Sequence, residues 1–358
     1  MQVEIIDIFS HRWLQMLQKI RHDVYHLPQY ILTEAIRTNS KPEAILIIEN
    51  EKTFCLPYLL RNYTDLFEKN IIDTDYYDIG SPIGYAGCLL NDAAKKEPFF
   101  FKAAIEQLIK NFRDRNICSA FFRLHPILNK NINEVLSPEI IQVNGETLSI
   151  NLNLSSTEIW RNTRSEHRTS INRCKRNGFT AKIVNYKQYI QEFINIYYET
   201  MERVGAKTYY YFDSEYFHGL MKLNEVVHLC IVEKDNKITC AGIFTECCGI
   251  IQYHLGATKN EFLKEAPSKL MFDYVRYWAK ERENQVFHLG GGLGGAKTTS
   301  LYHFKAGFSN QKHSFLTLRL ILDQEKYDRF VYLRAKTLSM EPQKLLDSNF
   351  FPAYRYEV

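Results

Sequence analysis

The chain has 358 residues, 45% of them hydrophobic and 24% charged, with a formal net charge of +4. That length predicts two domains of ordinary size, each able to bury its own core, and the balance excludes a disordered or low-complexity chain. The mild positive charge does not by itself demand nucleic acid, and eight cysteines without a C-x-x-C pair or ligand spacing to histidine predict reduced, buried thiols and no metal site.

The opening, MQVEIIDIFSHRW, has no basic start and no continuous apolar run, and nowhere do about 18 apolar residues follow one another. These features predict a cytoplasmic protein, neither secreted nor membrane-spanning. Residues Trp13 to Ile36 carry helical spacing; Ala44 to Glu49 and Thr53 to Leu60 read as strands around the polar turn ENEK. From Tyr76 to Leu90, YYDIGSPIGYAGCLL reads as a strand and then a loop punctuated by Gly80, Pro82, Gly84 and Gly87. A helix at about 97–115, a strand at 120–124 and a bridging strand in TLSINLNL complete a first half that ends near Ile150.

The second half begins with a capping box, Ser155 to Glu158, opening a helix that Gly178 would stop. A helix at about 186–204 follows, then three strands at 226–233, 238–246 and 250–257 separated by the turns KDNK and CCG. Leu270, Tyr274 and Trp278 at fourfold spacing predict an amphipathic helix over 266–283. Next comes QVFHLGGGLGGAKTTSLYHFKAGFS, a strand at 286–289 entering a glycine run, with a short helix at 301–306. A strand at 314–322 and a helical tail at 326–346 close the chain.

The glycine run invites a nucleotide reading that its spacing rejects. Ala296 stands between Gly295 and Lys297, so a Walker A pattern fails by one residue, and no βαβ unit supports a dinucleotide fingerprint.

In this order the pieces YDIGSPIGYAGC, WRNTRSEHRTSINRCKRNG, TYYYFDSEYF, YHLGATKNEFLKEAPSKLMFDYVRYWA, FHLGGG and LYHFKAGFS resemble the Fem-like aminoacyltransferases and their polysaccharide-cluster relatives. The resemblance runs from about Tyr76 to Ser309. It implies an α/β fold with mixed sheets: a GNAT-like domain at 1–150, a second at 151–322 carrying the active-site channel, and a tail, 323–358, packed back on the first. It implies a direct N-acyltransfer from acyl-CoA or aminoacyl-tRNA to an amino group of a cell-envelope precursor, an amino sugar or a peptide, with no metal. A non-catalytic GNAT-like module that binds such a precursor or a tRNA is the alternative.

The resemblance also implies site residues. Gly290, Gly291 and Gly292 would floor the channel and let a substrate approach the backbone. Phe304 and Lys305 match an aromatic-lysine pair facing the acyl donor, where a cation would stabilise the developing oxyanion. Arg203 with Tyr209 and Tyr210 matches a position that holds the diphosphate of a nucleotide-linked acceptor. Amine attack needs a base, for which His254 and Asp78 are the candidates; Tyr253 is the alternating neighbour of His254, so only one of the two can face the channel. Arg161, Arg164, Arg168 and Lys175 fall on one face of a continuous helix, suited either to a phosphate-rich donor or to plain solvent. One departure stands out: NEFLKEAPSKLM has no glycine where acetyl-CoA enzymes of the GNAT class carry a pyrophosphate loop.

Overall fold

A computed structural model describes residues 1–67 and 76–357. The chain divides into two compact units, one built from residues 1–143 and 316–358, the other from 144–315. In chain order the first unit supplies strands β1 (Gln2–Asp7), β2 (Lys41–Glu49), β3 (Lys52–Arg61), β4 (Tyr77–Gly80), β5 (Leu89–Leu90) and β6 (Ile117–Arg123). Strand β7 (Ile141–Asn151) leads into the second unit, followed by β8 (Thr180–Val184), β9 (Val227–Lys234), β10 (Lys237–Cys247), β11 (Ile250–Thr258) and β12 (Val286–Gly291). Strand β13 (Gln311–Ile321) returns the chain to the first unit.

In the first unit the strands run in the order β1-β2-β3-β4-β6-β13, with β5 beside β3. Here β4 and β6 are parallel and the other pairs antiparallel. The helix Pro98–Asp114 turns Phe101, Ile105, Leu108 and Phe112 inward at helical spacing, onto Ile45, Ile47, Phe54 and Leu56. The tail helix Gln324–Thr337 buries Tyr327, Phe330 and Val331 with Tyr63, Phe67 and Cys118 of the same unit. Asp78, a candidate base, is fully buried in this unit between two guanidinium groups. Arg61 Nε donates to it at 2.8 Å and Arg355 Nε at 2.6 Å.

The second unit orders its strands β7-β12-β11-β10-β9-β8. One face of β9–β11 carries Cys230, Val232, Cys240, Phe244 and Ile251, covered by Leu270, Met271, Phe272 and Val275 of the helix Pro267–Glu281. The alternating residues Leu229, Ile231 and Ile243 lie on the opposite face, which the helix Tyr186–Arg203 covers.

Several predicted elements split. The helical stretch 13–36 is two α-helices, His11–Leu17 and Pro28–Arg37, because Pro28 favours an N-terminal position and disfavours helix at Leu27. The helix expected over 155–178 is likewise two, Ser156–Arg161 and Ser165–Arg176. Its break at residues 162–164 is clamped by Thr163, whose hydroxyl donates to Ile159 O at 3.1 Å and accepts from Arg276 Nη1 at 2.6 Å. Arg161 therefore does not share a helical face with Arg168 and Lys175. Strands β1 and β8 were not expected, and both sit at sheet edges. No described helix is long and apolar enough to cross a membrane.

Candidate functional site

Strands β11 and β12 run parallel but share only three rungs, Ile250↔Val286, Ile251↔Phe287 and Gln252↔His288. Just past the last rung each strand is bulged against its other neighbour. Against β10, Ile243 faces Leu255 and Phe244 faces Tyr253, which leaves His254 as the extra residue. Against β7, Ser149 faces His288 and Leu148 faces Gly290, which leaves Leu289 as the extra residue. Bulges bend a strand and raise its twist, and here they face each other from both sides of one gap. The two strands diverge into a wedge, with Tyr253 to Thr258 on one side and Leu289 to Gly291 on the other. Gly290 takes a φ of +74°, which a side chain would resist.

The helix Ser300–Ala306 delivers Lys305 to this wedge. Thr299 caps it, its hydroxyl accepting from Tyr302 N–H, and the Tyr302 hydroxyl donates to Glu146 at 2.8 Å. Lys305 is 5% exposed; its Nζ donates to Gly291 O at 2.7 Å and lies 5.3 Å from the centre of the Tyr253 ring. Among the described residues no carboxylate pairs with it. Burial alone lowers its pKa to about 7, because an ammonium removed from water without a counterion is disfavoured. Phe304 packs edge-on against Phe272 at 5.1 Å and beside Phe308 at 5.5 Å, in the apolar wall around the lysine helix.

The glycine run is held by its own chain. A Cβ on Gly145 would stand 2.0 Å from Gly295 O, and one on Gly292 would stand 2.2 Å from Ala296 O. Gly295 thus lets the loop fold back onto β7 at Asn144 and Gly145, and Gly292 lets the loop close on itself against Ala296 and Thr299. Glu146 fastens the loop: it accepts from Lys297 at 2.8 Å, from Tyr302, and from Lys312 at 3.3 Å. The Lys297 bond, first among these, holds the carboxyl pKa at about 2. The lysine of GGAK is therefore spoken for by a carboxylate, consistent with the failed Walker spacing.

The site brings together Lys305, Tyr253 and Gly291, with Gly290, Gly292, Phe304 and His254 adjoining them in sequence. His254 Nε2 lies 2.7 Å from the Tyr216 hydroxyl, on the helix Ser214–Met221. Other expected residues are engaged elsewhere. Asp78 is held by Arg61 and Arg355, as an acceptor in a buried ion-pair cluster rather than a base open to an amine. Arg203 donates to Thr258 O at 3.0 Å, to Asn260 Oδ1 and to Thr200 Oγ1 at 3.3 Å, so a diphosphate would have to compete with three internal acceptors. Tyr209 and Tyr210 lie with ring centres 4.1 Å apart, tilted by 36°, on a short 3-10 turn, with Tyr209 45% exposed. Arg168 is half-buried; its neighbours Lys175 and Arg173 bind Asp273 Oδ2 at 2.7 Å and Lys264 O at 3.1 Å. The first unit has a cavity of about 300 Å³ lined by Lys41, Asn62, Tyr77 and Arg115, none of them expected from the sequence.

The fold, two compact units in one chain, each with mixed strand pairing that includes one parallel pair, is shared with solved structures of Fem type. The structure of FemX is similar, at a TM-score of 0.65 and 13% identity over 90% of this chain and 98% of that one. So are the C-terminal DUF2156 domain of a putative lysylphosphatidylglycerol synthetase from Agrobacterium fabrum (TM-score 0.54, 13% identity, 86% and 90% covered) and L-PGS from Bacillus licheniformis (0.52, 11%, 87% and 92%). At these identities the likeness is one of fold. No protein-family model and no curated protein sequence matches the chain.

Proposed function

We propose that the chain is an N-acyltransferase that forms an amide on an amino group of a cell-envelope precursor, an amino sugar or a peptide. The observation that carries this reading is Lys305, a buried lysine without a carboxylate partner among the described residues, at the open end of the β11–β12 wedge. In the reaction a neutral amine attacks the acyl carbonyl. The new C–N bond forms as the C–O bond of an aminoacyl ester or the C–S bond of a thioester breaks; the amine gives up a proton and the leaving group takes one. Negative charge gathers on the carbonyl oxygen, and a desolvated cation beside it acts in a low-dielectric site where the attraction is strong. With a pKa of about 7, Lys305 is about half cationic at neutral pH and becomes more so as that charge develops. His254, hydrogen-bonded to Tyr216, is the group we assign to take the proton from the amine.

Transfer is direct on this reading. Seven of the eight cysteines are buried, and burial raises the thiol pKa of Cys118, Cys174 and Cys230, which disfavours a thiolate nucleophile. Of the two donors, aminoacyl-tRNA is favoured by the turn before the helix Pro267–Glu281. That turn has no glycine, begins its helix with a proline that lacks an N–H, and is tied to the neighbouring helix through Arg173 to Lys264 O and Cys174 Sγ to Glu265 O.

Calorimetry with acetyl-CoA, a longer acyl-CoA and a mixed aminoacyl-tRNA pool, on wild type and Lys305→Ala, tests the proposal. The expected result is saturable binding of the tRNA pool by both proteins with turnover only in wild type. Equal turnover by the two proteins would remove Lys305 from the mechanism. Binding of every donor class without transfer to any amine would instead identify a non-catalytic binding module.

A further inference from the structure

In the basic segment at 161–176, the side chain seen to hydrogen-bond the Lys305 helix among the described residues is that of a histidine. His167 is 6% exposed. Its Nε2 lies 2.9 Å from Phe304 O, to which it must donate, since a carbonyl only accepts. The ring stands edge-on to Phe308 at 4.9 Å and beside Phe304 at 5.7 Å. Its Nδ1 is buried with no hydrogen-bond partner among the described residues. Burial, the largest influence, depresses the His167 pKa, with Lys269 and Arg164 acting in the same direction, so the ring is neutral with its proton on Nε2.

A histidine kept only for packing would not leave a polar atom orphaned, because a buried nitrogen without a partner is a net cost that an apolar ring avoids. What the imidazole supplies is a single donor at a defined point on the last turn of the helix Ser300–Ala306. A second donor acts one turn edge further on: the Arg164 N–H gives a 2.8 Å bond to Gly307 O. At Gly307 any Cβ would fall 2.2 Å from His167 Nε2, so glycine is what lets the ring reach its carbonyl. Arg164 and His167 are placed by the helix break at Thr163, itself clamped by the fully buried Arg276 and its partner Asp273. The lysine helix has seven residues, too short to hold its own orientation, and one residue of helical rotation is about 100°.

We propose that His167 is a positioning residue: through Phe304 O and Gly307 it fixes the axial rotation of the Lys305 helix, and so places Lys305 Nζ on Gly291 O inside the wedge. The catalytic part of this inference rests on the transfer role proposed for Lys305. The geometric part does not, and the two are tested apart.

The test compares His167→Met, which fills similar space without an N–H donor, with His167→Gln, whose amide can still donate. Both are prepared with 13Cε-labelled lysine, and the Lys305 resonance is assigned by its absence in Lys305→Arg. His167→Met is expected to raise the Lys305 titration midpoint by one to several pH units, as the amine leaves Gly291 O and hydrates. His167→Gln is expected to keep it near the wild-type value. In a transfer assay His167→Met should lose on the order of 10- to 100-fold in kcat with KM little changed, the scale for about 1 Å of misplacement, and His167→Gln should recover most of it. Should His167→Met fail to fold, Gly307→Ala displaces the ring by collision while leaving its chemistry intact, and the same upward shift is expected. An unchanged Lys305 titration in a folded His167→Met or Gly307→Ala protein overturns the positioning role. A shifted titration in a protein whose Lys305→Ala variant still transfers normally sustains the positioning and overturns only the catalytic use of Lys305.

Discussion

Replacing Lys305 by methionine should make the protein more stable at low pH and less stable at high pH. The buried amine has its pKa depressed from 10.5 to about 7, which corresponds to about 5 kcal/mol of differential interaction between its charged and neutral forms. The sign follows from proton counts. Below pH 7 both folded and unfolded chains carry the proton, and the folded state bears the whole cost of a buried ammonium. Between pH 7 and 10.5 only the unfolded chain binds it, so wild-type stability climbs with pH through that window. Above it neither state is charged and the cost is gone. Methionine removes the cost but also leaves Gly291 O without its donor, a loss of about 1–3 kcal/mol. The net expectation is a gain of about 2–4 kcal/mol at pH 6. At about 2–4 °C per kcal/mol, that is a rise of roughly 5–15 °C in the melting temperature of the unit that contains it. At pH 10.5 the difference should reverse sign. Calorimetric melting of both proteins from pH 6 to 10.5 reads this directly. A difference that does not vary with pH, or a methionine variant that melts lower at pH 6, would refute the argument that Lys305 is held unpaired and dry. A residue that costs this much stability is retained for something other than folding.

Other consequences can be checked separately. Transfer by wild type should show a descending limb in kcat/KM near pH 7, as Lys305 loses its proton, and Lys305→Arg should abolish that limb because a guanidinium stays charged; pH–rate profiles of the two proteins decide it. Asp78→Asn leaves Arg61 without its carboxylate and Arg355 with Asp65 alone, so it should cost about 3–5 kcal/mol in thermal or denaturant unfolding while leaving kcat unchanged at temperatures where the variant is folded. Glu146→Gln should lower stability by no more than about 1 kcal/mol, because its ion pairs are largely exposed, yet hydrogen exchange at residues 292–299 should accelerate as the loop loses its tie. Gly256→Ala places a Cβ 2.3 Å from the Tyr253 hydroxyl and should push that ring from beneath Lys305, which lysine NMR would register as a changed titration.

How much of this was legible in the sequence differs from residue to residue. Long periodic segments were plain: the helix at 267–281 and strands β9, β10 and β11 fall within a few residues of where spacing and turns put them. Strands β1 and β8 were missed because they are short edge strands with few buried residues, so neither alternation nor composition marks them. The break at 162–164 was missed because it depends on Arg276, more than a hundred residues away, and no local residue announces it. Asp78 has the chemistry of a base, but its partners Arg61 and Arg355 lie 17 and 277 residues away in sequence, so only the fold reveals an ion pair. Lys305 came from the resemblance to Fem-like proteins, since periodicity alone reads it as a solvated helix lysine. His167 gave no signal: it is one polar residue in a basic, polar helix, and its meaning lies in a carbonyl 137 positions downstream. The glycine run was visible at once, but its reason, close packing against Gly145 and β7, required the strand pairing.

Acyl transfer to an amine is the activity proposed for the wedge that carries Lys305. The most direct measurement is a single-turnover reaction of excess protein with a radiolabelled mixed aminoacyl-tRNA pool, and in parallel with radiolabelled acetyl-CoA, against a panel of amine acceptors that includes nucleotide-linked amino sugars and short lysine peptides. The expected product carries label in a bond that survives mild base, as an amide does and an ester does not, formed by wild type and lost by at least about 100-fold in Lys305→Ala with donor binding retained. Amide formation at an equal rate by Lys305→Ala, or no amide from any donor that wild type binds, would contradict the proposal.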